Sequence, residues 1–166
     1  MPILDESTLE FFSRSPDQTR RIGTRMGLLL QAGDVLCLQG DLGAGKTTLV
    51  QGIAQGWGSA DPVTSPTFVL VNTYHRPDGQ IISHLDAYRL ANALEAENLD
   101  IDYLLENGPL IVEWPQRILS ALPEQHLWID LQYLSDQQRM LLIKPVGDGY
   151  KNIVLQLRKQ IFSGLA

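Results

Sequence analysis

One eight-residue segment constrains this chain more than any other. Gly40-Asp41-Leu42-Gly43-Ala44-Gly45-Lys46-Thr47 matches the pattern G-x-x-x-x-G-K-[ST] at every fixed position. Glycines at these positions let the backbone curl until successive N–H groups point inward. A helix beginning at Lys46 directs its positive dipole end into the same concavity, which makes an anion site out of backbone alone. The pattern carries weight only between a strand and a helix, and that context is present. Asp34 to Gln39 reads as a short buried strand, and Leu49, Val50, Ile53 and Ala54 mark one face of a helix ending near Gly56.

A loop of this kind cradles a nucleotide's polyphosphate. The expected ligands are ATP and Mg²⁺, with backbone contacts from Leu42, Gly43, Ala44, Gly45 and Thr48, Lys46 on the β- and γ-phosphates, and the Thr47 hydroxyl on the metal. An acidic group at the end of a neighbouring strand is also required. Asp86 follows Ile81-Ile82-Ser83-His84-Leu85, and Glu113 follows Leu110-Ile111-Val112, so each lies just beyond an apolar run. Spacing does not choose between them: one can hold the metal while the other orients the attacking water. His84 shares the strand parity of Asp86 and is expected to be packed rather than catalytic. Trp114 and Pro115 end the Glu113 strand, placing an aromatic plane at the strand end or near the nucleotide.

The remaining elements suggest the architecture. Ser15-Pro16-Asp17-Gln18 is a helix start, with a Ser cap, Pro in the first turn and Gln three residues on; Ile22, Met26, Leu29 and Leu30 follow at helical spacing, with Gly33 as the stop. Thr67 to Tyr74 and Gln80 to Leu85 read as a hairpin turning at Pro77-Asp78-Gly79. Ala91 to Glu106 is helical with a break near Asp100, and His126 to Tyr133 with Arg139 to Lys144 forms another strand pair. Ile153, Val154, Leu157 and Ile161 mark a terminal amphipathic helix. Strand–helix units mixed with hairpins predict a single α/β domain over residues 1–166: a three-layer P-loop NTPase fold with a mixed parallel and antiparallel sheet.

Composition narrows the partners. A net charge of −6 argues against a broad electropositive surface for a nucleic-acid backbone. No apolar run approaches the roughly 18 residues that cross a bilayer, and the N-terminus lacks a secretory pattern, so a cytoplasmic protein is expected. Cys37, the single cysteine, lies inside Val35-Leu36-Cys37-Leu38 and is expected to be a buried core residue.

Four segments together resemble one family: GDLGAGKTT (Gly40 to Thr48), SPTFVLV (Ser65 to Val71), HLDAYRL (His84 to Leu90) and VEWP (Val112 to Pro115). In order and spacing they are similar to TsaE, also called YjeE, the bacterial ATPase of tRNA threonylcarbamoyladenosine biosynthesis. The resemblance implies weak ATP hydrolysis in isolation and work with TsaB and TsaD homologues, whose product is N6-threonylcarbamoyladenosine at position 37 of tRNA. Contact with tRNA would then be indirect. By the same resemblance Thr47 and Glu113 match magnesium positions, Asp86 a Walker-B-like aspartate, Ser65 to Phe68 a switch-like loop near the γ-phosphate, and Trp114 the tryptophan after the acidic residue. Ser15, Gln18, Arg117 and Arg139 fall at further nucleotide-contacting positions. Two departures concern packing and the partner surface: Ala87 replaces a larger aliphatic residue, and Leu99-Asp100 replaces a leucine–glycine pair.

Two other functions fit a P-loop: a small-molecule kinase, for which no arginine-bearing lid segment is evident, and a nucleotide-gated binding module whose hydrolysis is incidental. A GTPase is disfavoured because no N-K-x-D element occurs. No arginine finger is fixed by the sequence, so a slow isolated rate is expected.

Overall fold

The computed structural model describes residues 7–41, 43–64, 71–90 and 93–162. Seven strands form one sheet: β1 (Leu9–Ser13), β2 (Val35–Gln39), β3 (Val71–His75), β4 (Ile81–Asp86), β5 (Leu110–Glu113), β6 (His126–Tyr133) and β7 (Arg139–Val146). Their spatial order is β1-β7-β6-β2-β5-β4-β3. The central strands β6, β2, β5 and β4 run parallel, while β1 on β7, β7 on β6 and β3 on β4 pair antiparallel. The sheet is therefore mixed, as expected from strand–helix units flanked by hairpins.

Alternation along the central strands sorts side chains onto two faces. Leu36, Leu38, Ile82, Ile111, Leu127 and Ile129 face the helices α1 (Pro16–Leu29), α2 (Lys46–Trp57) and α5 (Lys151–Phe162). Val35, Cys37, Leu85, Leu110 and Val112 pack against the opposite layer, built from α3 (Ala93–Glu97), α4 (Ile101–Asn107) and short 3₁₀ turns at Pro115–Arg117 and Leu119–Ala121. Helix, sheet, helix makes three layers. Cys37 is fully buried, and burial pushes its thiol up to about 12.

The closest helix contact fixes the loop. α1 carries Gly23 and Gly27, α2 carries Gly52 and Gly56, and the two backbones meet through these four positions. A Cβ on Gly27 would fall onto the Ile53 carbonyl oxygen, and one on Gly56 onto that of Thr24. α2 ends near Gly56, as expected. The helix runs through Gly56 to Trp57, and Gly58, at φ 113°, closes it with its N–H on the carbonyls of Ala54 and Gln55. Likewise α1 stops at Leu29, and Gly33, at φ 92°, belongs to the turn before β2.

Other boundaries differ for equally local reasons. The expected helix from Ala91 divides into α3 and α4, and Asp100 sits between them at φ 49°. Glycine adopts that left-handed backbone most freely; here Asp100 tolerates it and caps α4 by accepting from the Tyr103 N–H at 3.2 Å. Ser15 caps α1 through its hydroxyl, which accepts from Gln18 N at 3.2 Å, while Gln18 reaches back one residue further than a capping box, to Arg14 N at 2.8 Å. The edge strand β1 has no counterpart among the expected elements. Leu42, Ala91 and the Ser65 to Phe68 segment lie outside the described residues.

Candidate functional site

The site forms at the carboxyl ends of β2, β5 and β4, where ligands collect in open α/β sheets. Gly43 and Gly45 adopt φ 81° and 98°, conformations that favour glycine, and turn the chain from β2 into α2. Gly40 is fixed by proximity: a Cβ there would stand 2.8 Å from the Leu131 carbonyl oxygen. α2 opens at Lys46 with Gly45 as its N-cap and no side-chain cap. First-turn N–H groups of a helix have no intrahelical acceptor, so this end faces outward as a donor surface. Ala44 is buried; Thr47 and Thr48, three and four positions further along, are half-buried.

Register brings the two candidate carboxylates side by side. Asp86 pairs with Glu113 across β4 and β5, and Glu113 pairs with Leu38 of β2, so all three share the face toward α1 and α2. Glu113 is 4% exposed and Lys46 only 7%, and Oε1 of Glu113 lies 3.7 Å from the Lys46 Nζ. Its other oxygen, Oε2, lies 2.7 Å from Nε2 of His84, which is fully buried. Burial acts to raise the Glu113 carboxyl, but the His84 and Lys46 contacts outweigh it and hold the group below its ordinary value. Glu113 is therefore an ionised carboxylate in a nearly dry site. Asp86 is half-buried and accepts from the Tyr88 N–H at 2.9 Å.

Aromatic rings close one side. Trp114 has a left-handed backbone, φ 58°, and the Lys46 ammonium stands 4.8 Å from its ring centroid. Tyr88 packs against Trp114 at 5.0 Å, and the Arg117 guanidinium lies 5.2 Å over Tyr88. Arg117 thus joins the site through Tyr88 and Trp114. Arg139 reaches the loop directly: its side chain passes within 3.6 Å of where a Gly45 Cβ would be, with the guanidinium 4.7 Å over Tyr133. The Arg139 Nε is buried without a hydrogen-bond partner, although Nη1 donates to the Gln138 and Ser135 carbonyls. Ser15 and Gln18 are engaged in the α1 cap.

An anionic ligand fits this arrangement. An orphaned guanidinium nitrogen beside the loop is a donor awaiting an acceptor, and the helix start next to it carries no side-chain cap. The donors for a metal are a hydroxyl and carboxylates, hard oxygen ligands suited to Mg²⁺. Among the described residues no group of three or more His, Cys, Asp or Glu could hold a metal ion alone. His84 is what sequence spacing under-reads. It is packed, as expected, but it also holds Glu113, a contact between positions 29 residues apart in the chain.

Comparison with known proteins agrees on one group. The family model for "Threonylcarbamoyl adenosine biosynthesis protein TsaE" matches residues 13–141. The tRNA threonylcarbamoyladenosine biosynthesis protein TsaE of Bacillus subtilis is 35% identical over 153 residues, covering 91% of this chain and 94% of the relative. Its counterpart in Streptomyces coelicolor is 44% identical over 131 residues, covering 78% and 81%. The crystal structure of YdiB from Bacillus subtilis superposes with a TM-score of 0.79 at 30% identity, covering 93% of this chain and 96% of that one.

Proposed function

The chain belongs to the TsaE family of threonylcarbamoyl adenosine biosynthesis proteins, and on that premise we propose that it is the Mg²⁺-dependent, ATP-hydrolysing P-loop subunit of that tRNA modification, acting as one domain with TsaB and TsaD homologues. The observation that carries this reading is the buried Lys46–Glu113 pair at the mouth of β2 and β5. A lysine held 3.7 Å from a carboxylate and over an aromatic ring is a cation kept in place for a stronger anion.

Each group has a separate task. The loop backbone from Leu42 to Thr48 and the start of α2 bind the phosphates, and Lys46 exchanges Glu113 for the β- and γ-phosphate oxygens. Arg139 brings its unpartnered Nε to the nucleotide from beside Gly45. Thr47, Glu113 and Asp86 would hold Mg²⁺, which supplies charge neutralisation at the β- and γ-phosphates when bound. Glu113, with its carboxyl held below the ordinary value, is a poor proton acceptor and a good anchor for positive charge. Asp86, more exposed and on the neighbouring strand, would hold the metal through water and orient the water that attacks. Contact with tRNA is indirect, in line with the net charge of −6. Among the described residues no helix is long and apolar enough to cross a membrane.

Calorimetry with MgATP on the wild type and Lys46→Ala tests the reading. The variant is expected to lose at least about tenfold in affinity, since a charge-assisted hydrogen bond contributes roughly 1.5–3 kcal/mol. Equal affinities would refute it. Phosphate release should rise when the TsaB and TsaD homologues are added.

A further inference from the structure

Glu113 is connected to a part of the chain outside the phosphate loop. Its partner His84 has Nδ1 2.7 Å from the Tyr74 hydroxyl, and that hydroxyl lies 3.2 Å from the Thr64 carbonyl oxygen. The Thr64 carbonyl also accepts from Asn72 Nδ2 at 3.0 Å. The segment ahead of Thr64 is tied to the same hairpin, because the Asp61 carboxylate accepts from His75 N at 2.7 Å and meets its Nδ1 at 2.9 Å. Tyr74 is 2% exposed and His84 0%, so the inner half of this line is buried, while Thr64 at its outer end is exposed.

Proton counting gives the line a direction. A neutral imidazole has one N–H and one acceptor. If Nε2–H donates to the Glu113 carboxylate, Nδ1 must accept, and the only donor within reach among the described residues is the Tyr74 hydroxyl. That hydroxyl has one proton and a second acceptor in range, the Thr64 carbonyl. In that tautomer Thr64 and His84 compete for a single proton, and Asn72 satisfies Thr64 when His84 takes it.

We propose that His84 and Tyr74 are positioning residues that orient the Glu113 carboxylate and make its orientation depend on where the Asp61–Thr64 segment sits. The inference rests on the nucleotide reading above. Through His84, Oε2 is fixed and Oε1 is left directed at Lys46, or at whatever cation replaces it.

Two measurements test it. In the ligand-free chain, ¹⁵N spectra of the histidine rings should show His84 protonated at Nε2 with Nδ1 accepting, and Tyr74→Phe should move the Nδ1 signal alone; a proton on Nδ1 would overturn the proposal. Second, ATP affinity is measured with and without Mg²⁺ on the wild type, Tyr74→Phe, His84→Leu and His84→Gln. His84→Leu should cut the Mg²⁺-dependent gain in affinity by about tenfold, with Mg²⁺-free affinity within about twofold of wild type, the size typical for losing a partner that orients a metal ligand. Tyr74→Phe should show a smaller loss of the same kind, and His84→Gln, which returns a donor to Oε2, should recover most of it. A wild-type gain in both Tyr74→Phe and His84→Leu overturns the proposal alone, as does an equal fall in both affinities, which would mark a structural role. A wild type that binds no nucleotide removes the function proposed above, and this inference with it.

Discussion

Trp114 places its ring 4.8 Å from the Lys46 ammonium by adopting φ 58°, one of two positive values among the described non-glycine residues. A left-handed backbone on a bulky residue costs energy of order 1 kcal/mol and persists where the surroundings over-determine it. Here the residue directly follows Glu113, and Pro115 opens a 3₁₀ turn behind it. The packing that holds this strained backbone keeps carboxylate, ring and ammonium in one cluster.

That geometry makes Trp114 an optical reporter. When phosphates draw Lys46 away, the emission of Trp114 should change, while the other two tryptophans, Trp57 in the α1–α2 core and Trp128 in β6, should not respond. Titrating MgATP into wild type and Trp114→Phe checks this: the signal should vanish in the variant. A signal of full size in Trp114→Phe would mean that Lys46 does not leave the ring.

Glu113→Gln keeps the side-chain shape and removes the charge. ATP should still bind, and without Mg²⁺ it should bind at least as tightly, since a buried negative charge beside the phosphates is gone. Hydrolysis should fall by about 10²–10³-fold, the range for losing one preorganised electrostatic group. Single-turnover phosphate release measures it.

The α1–α2 contact predicts the cost of one methyl group. In Gly56→Ala the added Cβ meets the Thr24 backbone rather than a movable side chain. Overpacking of this kind costs about 1–3 kcal/mol. For a chain of this length each kcal/mol lowers the melting temperature by about 2–4 °C. Gly79→Ala is the control, because nothing lies within 4 Å of its Cβ position, although its φ of 92° adds a smaller backbone cost. Calorimetric melting of the two variants should rank Gly56→Ala as the less stable.

Alkaline pH should destabilise the fold early. Burial pushes Cys37 up from 9.0, and Tyr74 and Tyr150 up from 10.0, each to about 12. From pH 9 to 12 the unfolded chain releases protons that the folded chain retains, so stability is full below pH 9 and falls as pH rises toward 12. Urea denaturation at stepped pH measures the slope. Tyr150→Phe should make it shallower, while lowering stability at pH 7 by about 1–2 kcal/mol because the Tyr150 hydroxyl accepts from the Val35 N–H at 2.9 Å. In the native chain the Cys37 thiol should react with disulfide reagents only as fast as the core opens.

Local chemistry makes part of this protein legible in its sequence. The glycine loop, the Ser15 cap, the break near Asp100 and the two strand-end carboxylates depend on residues close together along the chain, where backbone preference and alternation act directly. Tertiary structure decides the rest, because it depends on which distant segments meet. β1 is a five-residue edge strand whose ladder lies on β7, far along the chain, and its alternation alone is too short to stand out. Gly56 marks the neighbourhood of the helix end in the sequence, but its second role as a helix contact is hidden there, since only α1 shows what a side chain at that position would strike. His84 shares its face with Asp86 by alternation, but its hold on Glu113 arises only when β4 and β5 align in parallel and burial removes the water that would otherwise weaken the pair.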